Sequence, residues 1–141
     1  MRLKKVKNAK EKVEASKYFI NNPEDNISKW QQVFDNDNPI HIEIGMGKGR
    51  FIINMARTYP DINFIGIEKY DSVMVRALNI LNDDEKLPNL RFVLYDACEI
   101  EKIFNNEIDR IYLNFSDPWP KSKHEKIVLI FNCKNLSFIE N

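Results

Sequence analysis

Glycine and cysteine are scarce in this chain: 141 residues hold four of the first and two of the second. Cys98 and Cys133 stand apart, with no CxxC and no histidine at ligand spacing, which excludes a disulfide framework or a zinc ribbon and leaves no metal site to expect. No apolar run approaches the ~18 residues of a membrane span. The first residues lack the apolar stretch of a secretory leader, so a cytoplasmic protein without a membrane partner is expected. Internal repeats and low-complexity segments are missing too. What is present is 43% hydrophobic and 30% charged residues, a globular composition in a length that suits one domain with a real core.

The formal net charge of zero conceals an asymmetry. Residues 1–17 carry Arg2, Lys4, Lys5, Lys7, Lys10, Lys12 and Lys17 against only Glu11 and Glu14, so the remainder is net acidic. Such an arm is either a solvated terminus or a segment that holds phosphate backbones. Behind it, "NNPEDN" (21–26) is a turn cluster, with Asn26 placed to cap a short helix over 27–34. Three regions follow from these breaks: a basic arm and short helix (1–36), a core (37–126) and a tail (127–141).

From residue 40 the pattern alternates regularly. Strands are expected over 40–44, 62–68, 90–97 and 108–116, separated by helices over 50–58, 70–81 and 99–104. Strand and helix alternating at this pitch predict an α/β fold of about four parallel strands with flanking helices and right-handed crossovers.

Three of the four glycines fall in E43-I-G45-M-G47-K-G49, between the first strand and its helix, where the backbone must turn tightly and approach a ligand. Glu68 ends the second strand, 19 residues after Gly49, placed to accept the hydroxyls of a ribose. A dinucleotide fingerprint would set its third glycine three residues after the second, whereas here the spacing is G-x-G-x-G. A pyrophosphate would also be repelled by Glu43, while an ammonium and a sulfonium would be attracted. S-adenosylmethionine is therefore the better fit, and a nucleotide-cofactor oxidoreductase the weaker alternative. Asp96, ending the third strand, is placed to accept from an adenine amino group.

The fourth strand runs into N114-F-S-D117-P-W119-P-K121, and two prolines cannot continue a central ladder. A carboxylate, an indole and a lysine thus sit in a stiff loop at the ligand-binding edge. "IHIEIGMGKGRF", "NFIGIE", "YDA" and above all "RIYLNFSDPWPKSKH" resemble the bacterial tRNA (guanine-N7)-methyltransferases, over about Arg2 to Lys126. The resemblance implies a Rossmann-like S-adenosylmethionine-dependent fold, tRNA as partner and methylation of N7 of a guanosine in the variable loop. It maps the cofactor acids onto Glu43, Glu68, Asp96 and Asp117, with Gly45, Gly47, Gly49 and Ala97 beside them. Asp117 is also the candidate catalytic acid and Lys121 a substrate-binding lysine. Trp119 is either a wall for the purine or a packed loop anchor. Lys121, Lys123 and Lys126 either meet phosphate or form a solvated loop, and His124 is a polar rim residue of the substrate site rather than a base.

The likeness fails after Lys126. Family members continue for roughly another half-length, and residues 127–141 match none of it. The expectation is a truncated member whose fourth strand lies open as an apolar sheet edge, prone to self-association, with weak cofactor binding and negligible methyl transfer. A non-catalytic cofactor- or RNA-binding remnant is the alternative.

Overall fold

The computed structural model describes residues 5–113 and, for backbone pairing alone, 138–140. Strands β1 (Ile40–Ile44), β2 (Asn63–Glu68), β3 (Leu90–Leu94), β4 (Arg110–Leu113) and β5 (Phe138–Glu140) form one parallel sheet in the order β3-β2-β1-β4-β5. Every residue of β1 and β2 is buried, the signature of strands covered on both faces. Side chains alternate between the two covers. Ile40, Ile42, Ile44, Ile65, Ile67, Val93, Ile111 and Leu113 face a core closed by Trp30, Phe34 and the 100–108 segment. Phe64, Leu90, Phe92 and Tyr112 face the other core, built by helices α1 (Ala9–Glu14), α3 (Arg50–Thr58) and α4 (Asp71–Leu78). In α3, Ile52, Ile53 and Ala56 make the buried stripe that the sequence pattern predicts.

Helix α2 (Trp30–Phe34) starts later than expected, and Asn26 does not cap it. Asn26 ends a 3₁₀ turn over Pro23–Asn26, and Ser28 sits at φ 64°, which no helix can pass through. The cap comes from across the fold: the Glu107 carboxylate accepts from the Ser28 amide (2.8 Å) and the Trp30 amide (3.2 Å). Burial pushes the Glu107 carboxyl upward, and these amides with that of Asn105 oppose the shift. Trp30 is fully buried, with Nε1 donating to the Ile103 carbonyl at 2.6 Å.

Part of the basic arm is packed rather than solvated, since Ala9 and Val13 of α1 are buried in the core that α4 shares. Residues 18–20 then run beside β3. The Phe92 amide donates to Tyr18 O and the Ile20 amide to Phe92 O, so the outer edge of β3 is partly paired.

The expected open edge at β4 is not there. Ile111, Tyr112 and Leu113 pair with Phe138, Ile139 and Glu140, so the tail supplies a fifth strand and covers the edge proposed for self-association. The carboxyl-side residues Phe138–Glu140 carry the β-branched and aromatic side chains a strand favours, a signal too short to read without the ladder it joins.

Candidate functional site

The carboxyl ends of β1, β2 and β3 are stitched together by backbone hydrogen bonds. Gly45 and Met46 donate to the Ile67 carbonyl (2.9 and 3.0 Å), and Tyr95 donates to the Glu68 carbonyl (3.0 Å). The loop after β1 has all three glycines at positive φ, at 75°, 57° and 78°. The reasons for glycine differ along it. A Cβ on Gly49 would stand 2.7 Å from the Ala77 Cβ, so this glycine lets α3 seat against α4. A Cβ on Gly47 would meet nothing within 4 Å, so the space above this glycine is open.

Glu68 closes the loop. Its Oε1 accepts from the Gly47 amide (3.1 Å), while Oε2 accepts from the Lys69 and Tyr70 amides (2.9 and 3.0 Å). An ionised carboxylate has about four acceptor sites, and three are taken. The residue is 8% exposed, held rigid, and retains capacity for one more donor. The expectation that it receives both hydroxyls of a ribose therefore meets a constraint: the second would displace a loop amide.

Asp96 follows β3 and caps the 3₁₀ turn Ala97–Lys102, accepting from the Cys98 amide at 2.9 Å. That backbone bond, helped by the Lys69 ammonium 3.6 Å from Oδ2, holds the Asp96 carboxyl below the usual range against its partial burial. Ala97 is the first residue of that turn. Glu43 lies on β1 in register with Gly66 and Tyr112 and is fully buried, two residues before Gly45. Gly66 leaves the room that the Met46 thioether fills, since a Cβ there would lie 2.5 Å from Sδ.

Two side chains that sequence reasoning passed over complete the rim. Tyr95 Oη donates to Glu24 Oε1 at 2.6 Å, tying the turn before α2 to the residue preceding Asp96. Lys69, adjacent to Glu68, bridges to Asp96. The signal was position alone, since residues flanking a strand-end acid must line the same rim. Glu43, Gly45, Gly47, Gly49, Glu68, Asp96 and Ala97 are thus gathered at one end of the sheet. Asp117, Trp119, Lys121, Lys123 and His124 lie outside the described residues. Among the described residues, no group of three or more His, Cys, Asp or Glu could hold a metal, and no helix is long and apolar enough to cross a membrane.

A parallel sheet with a glycine loop and acids at three successive strand ends is the architecture of the Rossmann-like methyltransferases. A sequence model of the family described as "Putative methyltransferase" matches residues 37–136, and the chain belongs to that family. It is similar to the tRNA (guanine-N(7)-)-methyltransferase of Geobacillus sp. (strain WCH70), 55% identical over 94% of this chain and 61% of the relative. The corresponding enzyme of Lachnoclostridium phytofermentans is 51% identical over 89% of this chain and 59% of its own length. The chain thus spans about three-fifths of these curated relatives; the resemblance read from its motifs holds, but the family match runs on to residue 136 rather than failing after Lys126. Among solved structures, the antibiotic-resistance methyltransferase Kmr shares the fold at TM-score 0.62 and 19% identity, covering 81% of this chain and 65% of its own. The 16S rRNA methyltransferase KamB does so at TM-score 0.58 and 14% identity, covering 74% and 53%.

Proposed function

We propose that the chain carries the S-adenosylmethionine site of a methyltransferase acting on N7 of guanosine in tRNA. The observation that carries this reading is the Gly47–Glu68 junction: a rigid carboxylate with one acceptor site left, beneath open space above a glycine. The 51–55% identity to enzymes named for that reaction supports the substrate.

The donor set fits the cofactor. Glu68 accepts a ribose hydroxyl, Asp96 accepts from the adenine amino group, and Ala97 lies beside it. The glycines let the backbone approach closely, and the buried Glu43 carboxyl precedes the first of them by two residues. When bound, S-adenosylmethionine supplies a methyl group activated by its sulfonium.

Guanine N7 has an in-plane lone pair and no proton to remove, so no general base is required. The protein's task is alignment, which lowers barriers by several kcal/mol. Asp117 orients the base and offsets the positive charge that the purine gains. Trp119 walls the purine, Lys121, Lys123 and Lys126 meet the neighbouring phosphates, and His124 lies on the polar rim of the substrate site.

Calorimetric titration with S-adenosylhomocysteine tests the cofactor site. Replacing Glu68 by Ala removes a charged acceptor, a loss of ~1.5–3 kcal/mol, or roughly ten- to a hundredfold in affinity. Equal affinity in a folded mutant would overturn the assignment. Mass spectrometry of tRNA nucleosides after incubation with the cofactor tests the reaction through the appearance of 7-methylguanosine.

A further inference from the structure

A second cleft lies at the opposite end of β3 from Asp96. It has a volume of about 460 Å³ and is lined by Lys17, Tyr18, Lys86, Leu87, Pro88 and Arg91. From Leu90 to Asp96 the chain advances roughly 20 Å at ~3.3 Å per residue, so this cleft is separate from the cofactor site. We propose that it binds a phosphate-bearing nucleotide unit, with Arg91 and Lys86 on the phosphate and Leu87 and Pro88 under the apolar body.

Among the described residues, three cations and no carboxylate line the cleft. The acid nearest in sequence, Glu85, is turned to Arg57, with Nη2 donating to Oε2 at 2.9 Å, and only its carbonyl serves the cleft, accepting from Lys17 Nζ and Tyr18 Oη (3.2 Å each). The Arg91 guanidinium is positioned in advance. It lies over the Phe34 ring at 5.2 Å, and Nη1 donates to the carbonyls of Pro88 (3.1 Å) and Leu90 (2.7 Å). Those two bonds use both Nη1 hydrogens and leave the Nε–H and Nη2–H edge, the fork that grips a phosphate with two parallel bonds. The far wall is equally fixed, because Tyr18 is buried and its backbone carbonyl is paired to Phe92. The volume falls in the range of small-molecule sites, and cations over an apolar floor match a nucleotide better than a bare anion.

One nucleotide chemistry has two sources, a free mononucleotide or a unit of an RNA strand. The inference does not rest on the proposed methyl transfer, and its probes lack guanine. Uridine 5′-monophosphate, a short oligouridylate and uridine are titrated into the isotope-labelled chain saturated with S-adenosylhomocysteine, following amide resonances. Shifts at Glu85, Leu87 and Arg91 with both phosphorylated probes identify a nucleotide pocket, and shifts with the oligomer alone identify an RNA-strand contact. In either case Arg91→Met, which keeps an unbranched side chain without the guanidinium, and Lys86→Glu on the exposed rim each weaken binding about tenfold or more, as expected for charged hydrogen bonds. No shifts with either phosphorylated probe, equal affinity for uridine, or unchanged affinity in Lys86→Glu would overturn the proposal.

Discussion

The Gly47 amide and the Glu68 carboxylate meet at 3.1 Å, across the gap between the loop after β1 and the end of β2. This contact fixes the loop before any ligand arrives and leaves Glu68 one acceptor site. Preorganisation of this kind reduces the ordering cost of binding.

Gly47, which makes that contact, and Gly49 should respond differently to alanine. Both sit at positive φ, a conformation that costs an L-residue ~1 kcal/mol or more. Gly49→Ala adds a clash with Ala77 on α4, so it should lose a further ~1–3 kcal/mol in urea denaturation. Gly47→Ala, with open space for its Cβ, should fold with only the backbone cost while weakening S-adenosylhomocysteine in calorimetry. Equal stability losses at the two positions would contradict the packing role of Gly49.

Asn89 closes the far end of α3. Its Nδ2, in a residue 4% exposed, donates to the carbonyls of Ala56 (3.1 Å), Tyr59 (3.0 Å) and Ile62 (2.9 Å). Asn89→Ala removes this donor from all three carbonyls, of which Tyr59 keeps the Ile62 amide (3.2 Å), and should cost ~1–3 kcal/mol by chemical denaturation. Cofactor affinity should change little, because the cap lies at the end of the sheet away from Glu68.

His41 should give the fold a pH dependence. Burial and the nearby Arg110 lower its pKa from 6.5 to about 4, against the opposing pull of Asp109, and Nδ1 pairs with the Tyr112 hydroxyl at 3.1 Å. Between those two values the unfolded chain holds the proton and the folded chain does not. Stability therefore rises with pH through this window and falls as the pH drops from 6.5 toward 4. Carboxylates contribute further loss at the acid end. Comparison with His41→Phe isolates the histidine: the mutant's denaturation midpoint should vary less over that interval.

Local pattern alone determined β1 and α3, where the expected 40–44 and 50–58 match Ile40–Ile44 and Arg50–Thr58. It also placed Gly45, Gly47, Gly49, Glu68 and Asp96 at one sheet end, because strand period and chain direction dictate which residues arrive there. Helical periodicity, glycine conformation and strand hydrophobicity act between near neighbours, so a one-dimensional reading recovers them. Contacts between distant segments were decided only by the tertiary structure. Glu107 caps a helix 77 residues upstream of it, Ala9 and Val13 draw the arm into the core, and Phe138–Glu140 covers an edge expected to be open. Each depends on which surfaces the folded sheet leaves exposed or unpaired, and that is fixed by burial and hydrogen-bond satisfaction over the whole chain rather than by any local run of residues.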